Sequence, residues 1–95
     1  AYRATIPGLI FLGGVLAKQG RLSEAKRCHR RAIRLDTDQL QYEAHFNLGL
    51  ILRAERRYSK ALECFDRAIK LDPDYKIAKV ARRDVLRALK LKEGC

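Results

Sequence analysis

The chain has 95 residues and a net charge of +10 at pH 7, with 47% hydrophobic and 34% charged residues. This length allows one small domain, near the lower limit at which a chain buries a core unaided. The apolar run over residues 6–17 is too short to span a bilayer, so the composition excludes a transmembrane segment.

The apolar residues recur at helical spacing along the chain, and no strand pattern interrupts them. A first helix is predicted from Pro7 to Gln19, because proline suits the first helical turn and Gly20 suits a stop. Ser23 is predicted to cap a second helix that reaches about Leu35. We expect one face of the first helix to contain Leu9, Leu12, Val15 and Leu16.

Three further helices are predicted in the second half of the chain. Asp38 and Gln41 form an N-terminal capping pattern for a third helix that reaches about Ala54. Ser59 is predicted to cap the fourth helix, which ends at 72–74 because proline excludes further helix. A fifth helix is expected over 75–92, with a single apolar face as the end of an array requires. That face is predicted to contain Ile77, Val80, Ala81, Val85, Ala88 and Leu89.

Two parts of the chain repeat each other at a distance of 36 residues. The matching stretches are 12–13 with 48–49, 22–25 with 58–61, and 31–36 with 67–72. A period in this range predicts stacked helical hairpins, an architecture that mostly holds other molecules rather than transforming them.

The residues at matching places in the two copies form a recognisable pattern. In the second copy, residues 42–75, the pattern consists of His45, Leu48, Gly49, Leu52, Tyr58, Ala61, Phe65, Ala68 and Pro73. In the first copy, residues 6–39, it consists of Leu9, Leu12, Gly13, Leu16, Gly20, Leu22, Ala25 and Ala32. This pattern resembles that of the tetratricopeptide repeat family. The first copy departs from the family at His29, where an aromatic is usual, and at Thr37, where proline is usual.

The resemblance implies an all-α solenoid of antiparallel helix hairpins, five helices in a right-handed superhelical stack. The repeats at 6–39 and 42–75, followed by a capping helix over 75–92, would form a single domain over residues 1–95. Because the family repeat has about 34 residues, we place the two additional residues of the spacing at the junction 37–41. The start at Ala1 rather than at a methionine suggests a fragment of a longer protein.

In proteins of this family, the first helix of each hairpin lines a concave groove that receives an extended peptide or a helix. Carried over to this chain, the groove contains Ile10, Gly14, Ala17, Lys18, Phe46, Asn47, Leu50, Arg53 and Arg87. Ile10, Phe46 and Leu50 would be apolar anchors, and the two arginines would orient an acidic flank. The resemblance therefore implies a protein-interaction or scaffold module whose partner is an acidic peptide or helix. A missing segment or another copy of the chain could instead cover the groove.

An alternative function follows from the charge, which is +5 over residues 1–41, zero over 42–75 and +5 over 76–95. A basic surface favours nucleic acid or an anionic membrane as the partner. The fifth helix would supply one patch with Lys76, Lys79, Arg83, Arg87 and Lys90, and the second helix another with Lys26, Arg27, Arg30, Arg31 and Arg34. A third hypothesis is a homo-oligomer formed by end-to-end stacking.

The polar residues do not form a pattern that supports catalysis. His29 and His45 replace family aromatics at packed places, so we interpret them as core or half-buried residues. Cys28 and Cys64 lie one repeat apart, too far for a bridge, and they indicate apolar fillers in a reducing, cytoplasmic compartment. Because no phosphate loop, nucleophile elbow or cysteine pair with metal-ligand spacing occurs, we expect no enzyme activity, metal or cofactor.

Overall fold

A computed structural model describes residues 5–35 and 42–93 of the chain. These residues form five α-helices and no strand: α1 (Ile6–Lys18), α2 (Leu22–Leu35), α3 (Tyr42–Ala54), α4 (Tyr58–Leu71) and α5 (Lys76–Glu93). The all-α prediction is confirmed. The capping pattern of Asp38 and Gln41 and the placement of the two additional residues lie outside the described residues.

The helices form two hairpins that stack side by side, followed by a single helix. α1 packs mainly against α2, and α3 mainly against α4. The hairpins meet through α2 and α3 and, to a lesser extent, α1 and α3, while α5 covers α4 and one part of α3. The array is elongated, measuring 54 × 29 × 17 Å. This is the arrangement of a helical repeat solenoid.

The same turn closes both hairpins. In the first hairpin, Arg21 N–H donates to the Leu16 carbonyl (2.9 Å) and Gly20 N–H donates to the Ala17 carbonyl (3.0 Å), which defines a Schellman motif. Gly20 has φ of +79°, the left-handed conformation that this motif requires, so its predicted role as a stop is confirmed. The equivalent residue of the second hairpin is Arg56, with φ of +62°.

The predicted capping roles of Ser23 and Ser59 are wrong. The helices start at Leu22 and Tyr58, two residues earlier than capping by the serines requires, so each serine lies inside the first helical turn. Arg57 is the N-cap of α4 and makes no side-chain capping bond. The reason is that the turn is short. The residue whose N–H closes the Schellman motif is also the N-cap of the next helix, as Arg57 is for α4.

Other helix ends have side-chain or turn signals. Thr5, which sequence reasoning missed, caps α1 by accepting a hydrogen bond from Gly8 N–H at its Oγ1 (3.1 Å). At the far end of α4, Asp72 is the C-cap, and its side chain accepts a hydrogen bond from Asp74 N–H (3.2 Å). The prediction that α4 ends at this proline-containing turn is confirmed.

Small residues allow the helices to approach closely, as the repeat pattern predicts. Four alanines on α2 and α4 are completely buried: Ala25, Ala32, Ala61 and Ala68. A Cβ added to Gly49 on α3 would lie 2.5 Å from Cε1 of Phe65 on α4. A Cβ added to Gly13 on α1 would lie 2.6 Å from Cε1 and Nε2 of His29 on α2. The first hairpin therefore uses a histidine where the second uses a phenylalanine.

Two predicted apolar faces contain residues that are exposed in the structure. Leu12 is 46% exposed, whereas its equivalent in the second copy, Leu48, is 7% exposed because it belongs to the buried cluster that includes Phe65. On α5, Ile77 and Val80 are 54% and 47% exposed. The buried contacts of α5 are formed by Ala78, Ala81 and Val85. The predicted buried face of α5 is therefore confirmed at Ala81 and Val85 and wrong at Ile77 and Val80. It also lacks Ala78, which is buried.

Candidate binding pocket between the hairpins

A cavity of about 310 Å³ lies between α1, α2 and α3, and we call it the inter-hairpin pocket. It is lined by Gly14, Ala17, Lys18, Leu22, His29, Asn47, Leu50, Ile51 and Ala54. Most of these residues are apolar or small, and Lys18 is the one that carries a full charge. The pocket is wide at α1 because a Cβ added to Gly14 would meet no atom within 4 Å. The arrangement suits an apolar group that enters from outside.

The pocket brings together five of the predicted groove residues: Gly14, Ala17, Lys18, Asn47 and Leu50. The remaining predicted groove residues, Ile10, Phe46, Arg53 and Arg87, do not line it. Sequence reasoning did not place α2 in the groove. It therefore missed Leu22 and His29 as lining residues, although the departure of His29 from the family pattern was a signal.

Phe46 is a core residue rather than an accessible anchor. It is 9% exposed and belongs to the same buried cluster as Phe65 and Val85. Its ring centroid lies 5.8 Å from that of Phe65 and 5.3 Å from that of Tyr75. Because both neighbours hold the ring from inside the array, Phe46 cannot supply the apolar contact predicted for it. Leu50, the other anchor predicted on α3, is half-buried and lines the pocket.

His29 is the only buried polar side chain in the described part of the chain. Neither Nδ1 nor Nε2 has a hydrogen-bond partner there. Burial lowers the pKa of the imidazole below its usual value of 6.5, because a charged ring would lose its hydration. His29 is therefore an unsatisfied polar group, disfavoured in its charged form, in the wall of a mostly apolar pocket.

The sequence was compared with models of known protein families. Residues 6–39 and 42–75 each match a model described as tetratricopeptide repeat. The chain belongs to the tetratricopeptide repeat family. No curated protein sequence matches it. Tetratricopeptide repeats generally mediate protein–protein interaction and scaffolding, and they are a non-catalytic module.

In this tetratricopeptide array one side chain with a full charge, Lys18, lines the pocket, and Arg53 is next in sequence to the lining residue Ala54. Lys18 is exposed at the pocket, and Arg53 on α3 is half-buried with no ion pair among the described residues. Glu43 and Asp84, which carry the opposite charge, are exposed and do not line the pocket.

The basic side chains of the two predicted patches differ in whether they form ion pairs. All five predicted patch residues of α5 are exposed and none forms an ion pair in the described structure: Lys76, Lys79, Arg83, Arg87 and Lys90. On α2, Lys26 does not belong to a free patch. Its Nζ donates to both carboxylate oxygens of Glu55 at 2.9 and 3.0 Å, and this pair ties the first hairpin to the turn of the second.

The two cysteines predicted as apolar fillers lie inside the array. Cys28 and Cys64 are half-buried free thiols, as predicted. Burial, with the nearby charge of Glu63, raises the pKa of the Cys64 thiol to about 11, which disfavours the reactive thiolate. No group of three histidine, cysteine or acidic residues with metal-binding geometry occurs among the described residues. None of the described helices is long and apolar enough to cross a membrane.

Proposed function

We propose that this chain is a protein-interaction module that holds a partner segment, extended or helical, over the inter-hairpin pocket. The observation that carries the proposal is the pocket itself, an open apolar cavity of about 310 Å³ between the first helices of the two hairpins. An apolar side chain of the partner would enter beside Gly14 and contact Leu50. The hydrophobic effect would provide most of the affinity at that contact.

The charge next to the pocket supports a partner with an acidic flank. Lys18 is exposed and Arg53 has no ion pair among the described residues, so both are free to contact a carboxylate. Such exposed charges mainly affect the rate of association and the choice of partner, whereas the buried anchor determines most of the affinity. We therefore expect reversal of these charges to weaken binding moderately and loss of the pocket to abolish it.

Peptide selection from a random library tests the proposal. The library is selected on the wild-type chain, and the enriched peptides are then measured by titration calorimetry against variants. Gly14→Leu should abolish binding, because its side chain would fill a pocket in which Gly14 meets no atom within 4 Å. Lys18→Glu should weaken binding about tenfold and more strongly at low salt.

Arg31→Glu is the matched control, because Arg31 is exposed on α2 and does not line the pocket. It changes the net charge as Lys18→Glu does and should leave binding nearly unchanged. Enriched peptides that bind Gly14→Leu as tightly as the wild type would refute the proposed binding site.

The exposed cations of α5 favour a second candidate function, binding of nucleic acid or of an anionic membrane. Five unpaired cations that contact single-stranded phosphates would give a log–log salt slope of about −3.5, which is roughly a hundredfold loss of affinity between 50 and 200 mM salt. Fluorescence anisotropy with a labelled oligonucleotide, and co-sedimentation with anionic vesicles, measure this directly. A flat salt response would remove the candidate.

Self-association is a further proposal for the array. Phe11 and Leu12 on α1 are 75% and 46% exposed, so this helix offers apolar surface that no described helix covers. Sedimentation velocity at several protein concentrations would show an increase of the mean mass with concentration. A constant monomer mass, unchanged in Phe11→Ser, would contradict the proposal.

A further inference from the structure

His29 has an unexplained position in the first hairpin. Its side chain is completely buried, and both ring nitrogens lack a hydrogen-bond partner among the described residues. A buried polar group without a partner destabilises a fold, so such groups are rare in native structures. At the equivalent place of the second hairpin the chain has Phe65, which packs on Gly49 as His29 packs on Gly13. Packing alone is therefore satisfied by phenylalanine, and it does not account for the imidazole.

The inter-hairpin pocket offers the missing partner a place. His29 forms part of its wall, and the volume of about 310 Å³ is at the lower end of ligand pockets. An apolar cavity of about 150 Å³ already holds a benzene molecule in other proteins. The pocket therefore has room for one aromatic ring, together with a polar tip that reaches the wall.

We propose that the inter-hairpin pocket selects a hydroxylated aromatic ring, the tyrosine side chain of a bound segment, whose phenolic O–H hydrogen-bonds to His29. This inference rests on the proposed function and deepens it. A neutral imidazole has one N–H donor and one acceptor nitrogen. A hydroxyl both donates and accepts, so it serves whichever nitrogen faces the pocket, whereas a carboxylate only accepts and an ammonium only donates.

The surroundings of His29 suit a neutral ligand and allow it to reach the ring. Burial disfavours the charged imidazole and thereby any ion pair with a carboxylate. Two successive residues of α1 near the imidazole ring, Gly13 and Gly14, have no side chain. Gly13 lies against the ring, and Gly14 leaves the pocket open. Both ring nitrogens are buried, so the proposed hydrogen bond requires a turn of the ring about χ2, a rotation that is soft in histidine.

The test uses two small probes, p-cresol and toluene, which differ only by the hydroxyl. Each is titrated into the isotopically labelled chain, and amide and imidazole nitrogen shifts are followed by NMR. We expect p-cresol to bind about three- to tenfold more tightly than toluene, the range for one neutral hydrogen bond. It should shift the amides of Gly14 and Leu50 and the ring nitrogens of His29.

Two variants separate the hydroxyl contact from the cavity. His29→Phe should remain folded, because Phe65 occupies the equivalent place, and it should lose the preference for p-cresol. Gly14→Leu should bind neither probe. Equal affinity of the wild type for the two probes, or the same preference in His29→Phe, would overturn the inference. Chemical shifts confined to residues outside the pocket, or no binding of p-cresol up to its solubility limit, would also overturn it.

Failure of this inference is distinguishable from failure of the proposed function. Selected peptides that depend on Gly14 but lack tyrosine, and bind His29→Phe equally well, would overturn the role of His29 while supporting the binding site. Binding of p-cresol with the expected preference, but of no selected peptide in the pocket, would support the ring site and refute the interaction module.

Discussion

Two glycines in equivalent helices should respond in opposite ways to the same substitution, Gly→Ala. Gly14 on α1 has open space around it, whereas Gly49 on α3 lies against Phe65. In a helix interior, alanine is more favourable than glycine by about 0.5–1 kcal/mol. At Gly14 the full gain is available, so Gly14→Ala should stabilise the fold by about that amount.

At Gly49 the same gain competes with a clash. The added Cβ would lie 2.5, 2.8 and 3.1 Å from three ring carbons of Phe65, so the ring must move by roughly an ångström to reach ordinary contact distance. Phe65 is completely buried, so a shift of its ring must displace the side chains packed around it. Overpacking of this kind costs about 1–3 kcal/mol. Because the propensity term is common to both variants, their stabilities should differ by the clash alone.

Thermal unfolding followed by circular dichroism measures the difference. For a chain of this size, 1 kcal/mol corresponds to about 4–8 °C in Tm, so Gly49→Ala should melt at least about 4 °C below Gly14→Ala. Combining Gly49→Ala with Phe65→Leu should recover part of the loss, giving a coupling energy of about 1 kcal/mol. Equal stabilisation by both alanines, or strict additivity in the double variant, would refute the close packing of α3 on α4.

Three more predictions concern the turns, the buried imidazole and the ion pair. Arg56→Gly should stabilise the fold by about 0.5–1 kcal/mol in urea unfolding, because glycine adopts the left-handed conformation without strain. Gly20→Ala should destabilise the fold by about 1 kcal/mol for the opposite reason. An Arg56→Gly variant that is less stable than the wild type would contradict the assigned turn. His29 has a lowered pKa through burial, so below its unfolded value of 6.5 the unfolded chain takes up a proton that the folded chain does not, and stability is lost as the pH falls. Tm measured from pH 8 to pH 5 should therefore fall less in His29→Phe than in the wild type, and parallel curves would show that this ring does not titrate as argued. Glu55→Gln should cost about 1 kcal/mol because the bond to Lys26 is largely shielded from water; a double-mutant cycle with Lys26→Met that gives no coupling would show the pair to be neutral.

Much of the fold could be predicted from the sequence because the same helical pattern occurs in both copies of the repeat. The helical period, Gly20 and the turn at Asp72 to Asp74 determined the number and approximate bounds of the helices. The N-caps predicted at Ser23 and Ser59 were wrong, although serine is a favourable N-cap residue when a helix is considered alone. The short Schellman turn makes each helix start two residues earlier, and that depends on how two helices meet.

The burial of single residues depended on what lies next to each repeat, which a period cannot reveal. Leu12 and Leu48 are equivalent in the pattern, yet only Leu48 belongs to a hairpin with neighbours on both sides, the first hairpin and α5. Phe46 occupies a place that faces the groove in the family, but Tyr75 and Phe65 draw its ring into the core. The inter-hairpin pocket requires residues from α1, α2 and α3 at once, so no single helix could indicate it.

The most direct test of the binding site is a chemical-shift map of the wild-type chain with the tightest peptide from the selection. The pocket account predicts that the largest amide shifts occur at Gly14, Asn47 and Leu50, and that Gly14→Leu removes them. Shifts confined to the exposed cations of α5, with the amides around Gly14 unchanged, would contradict it.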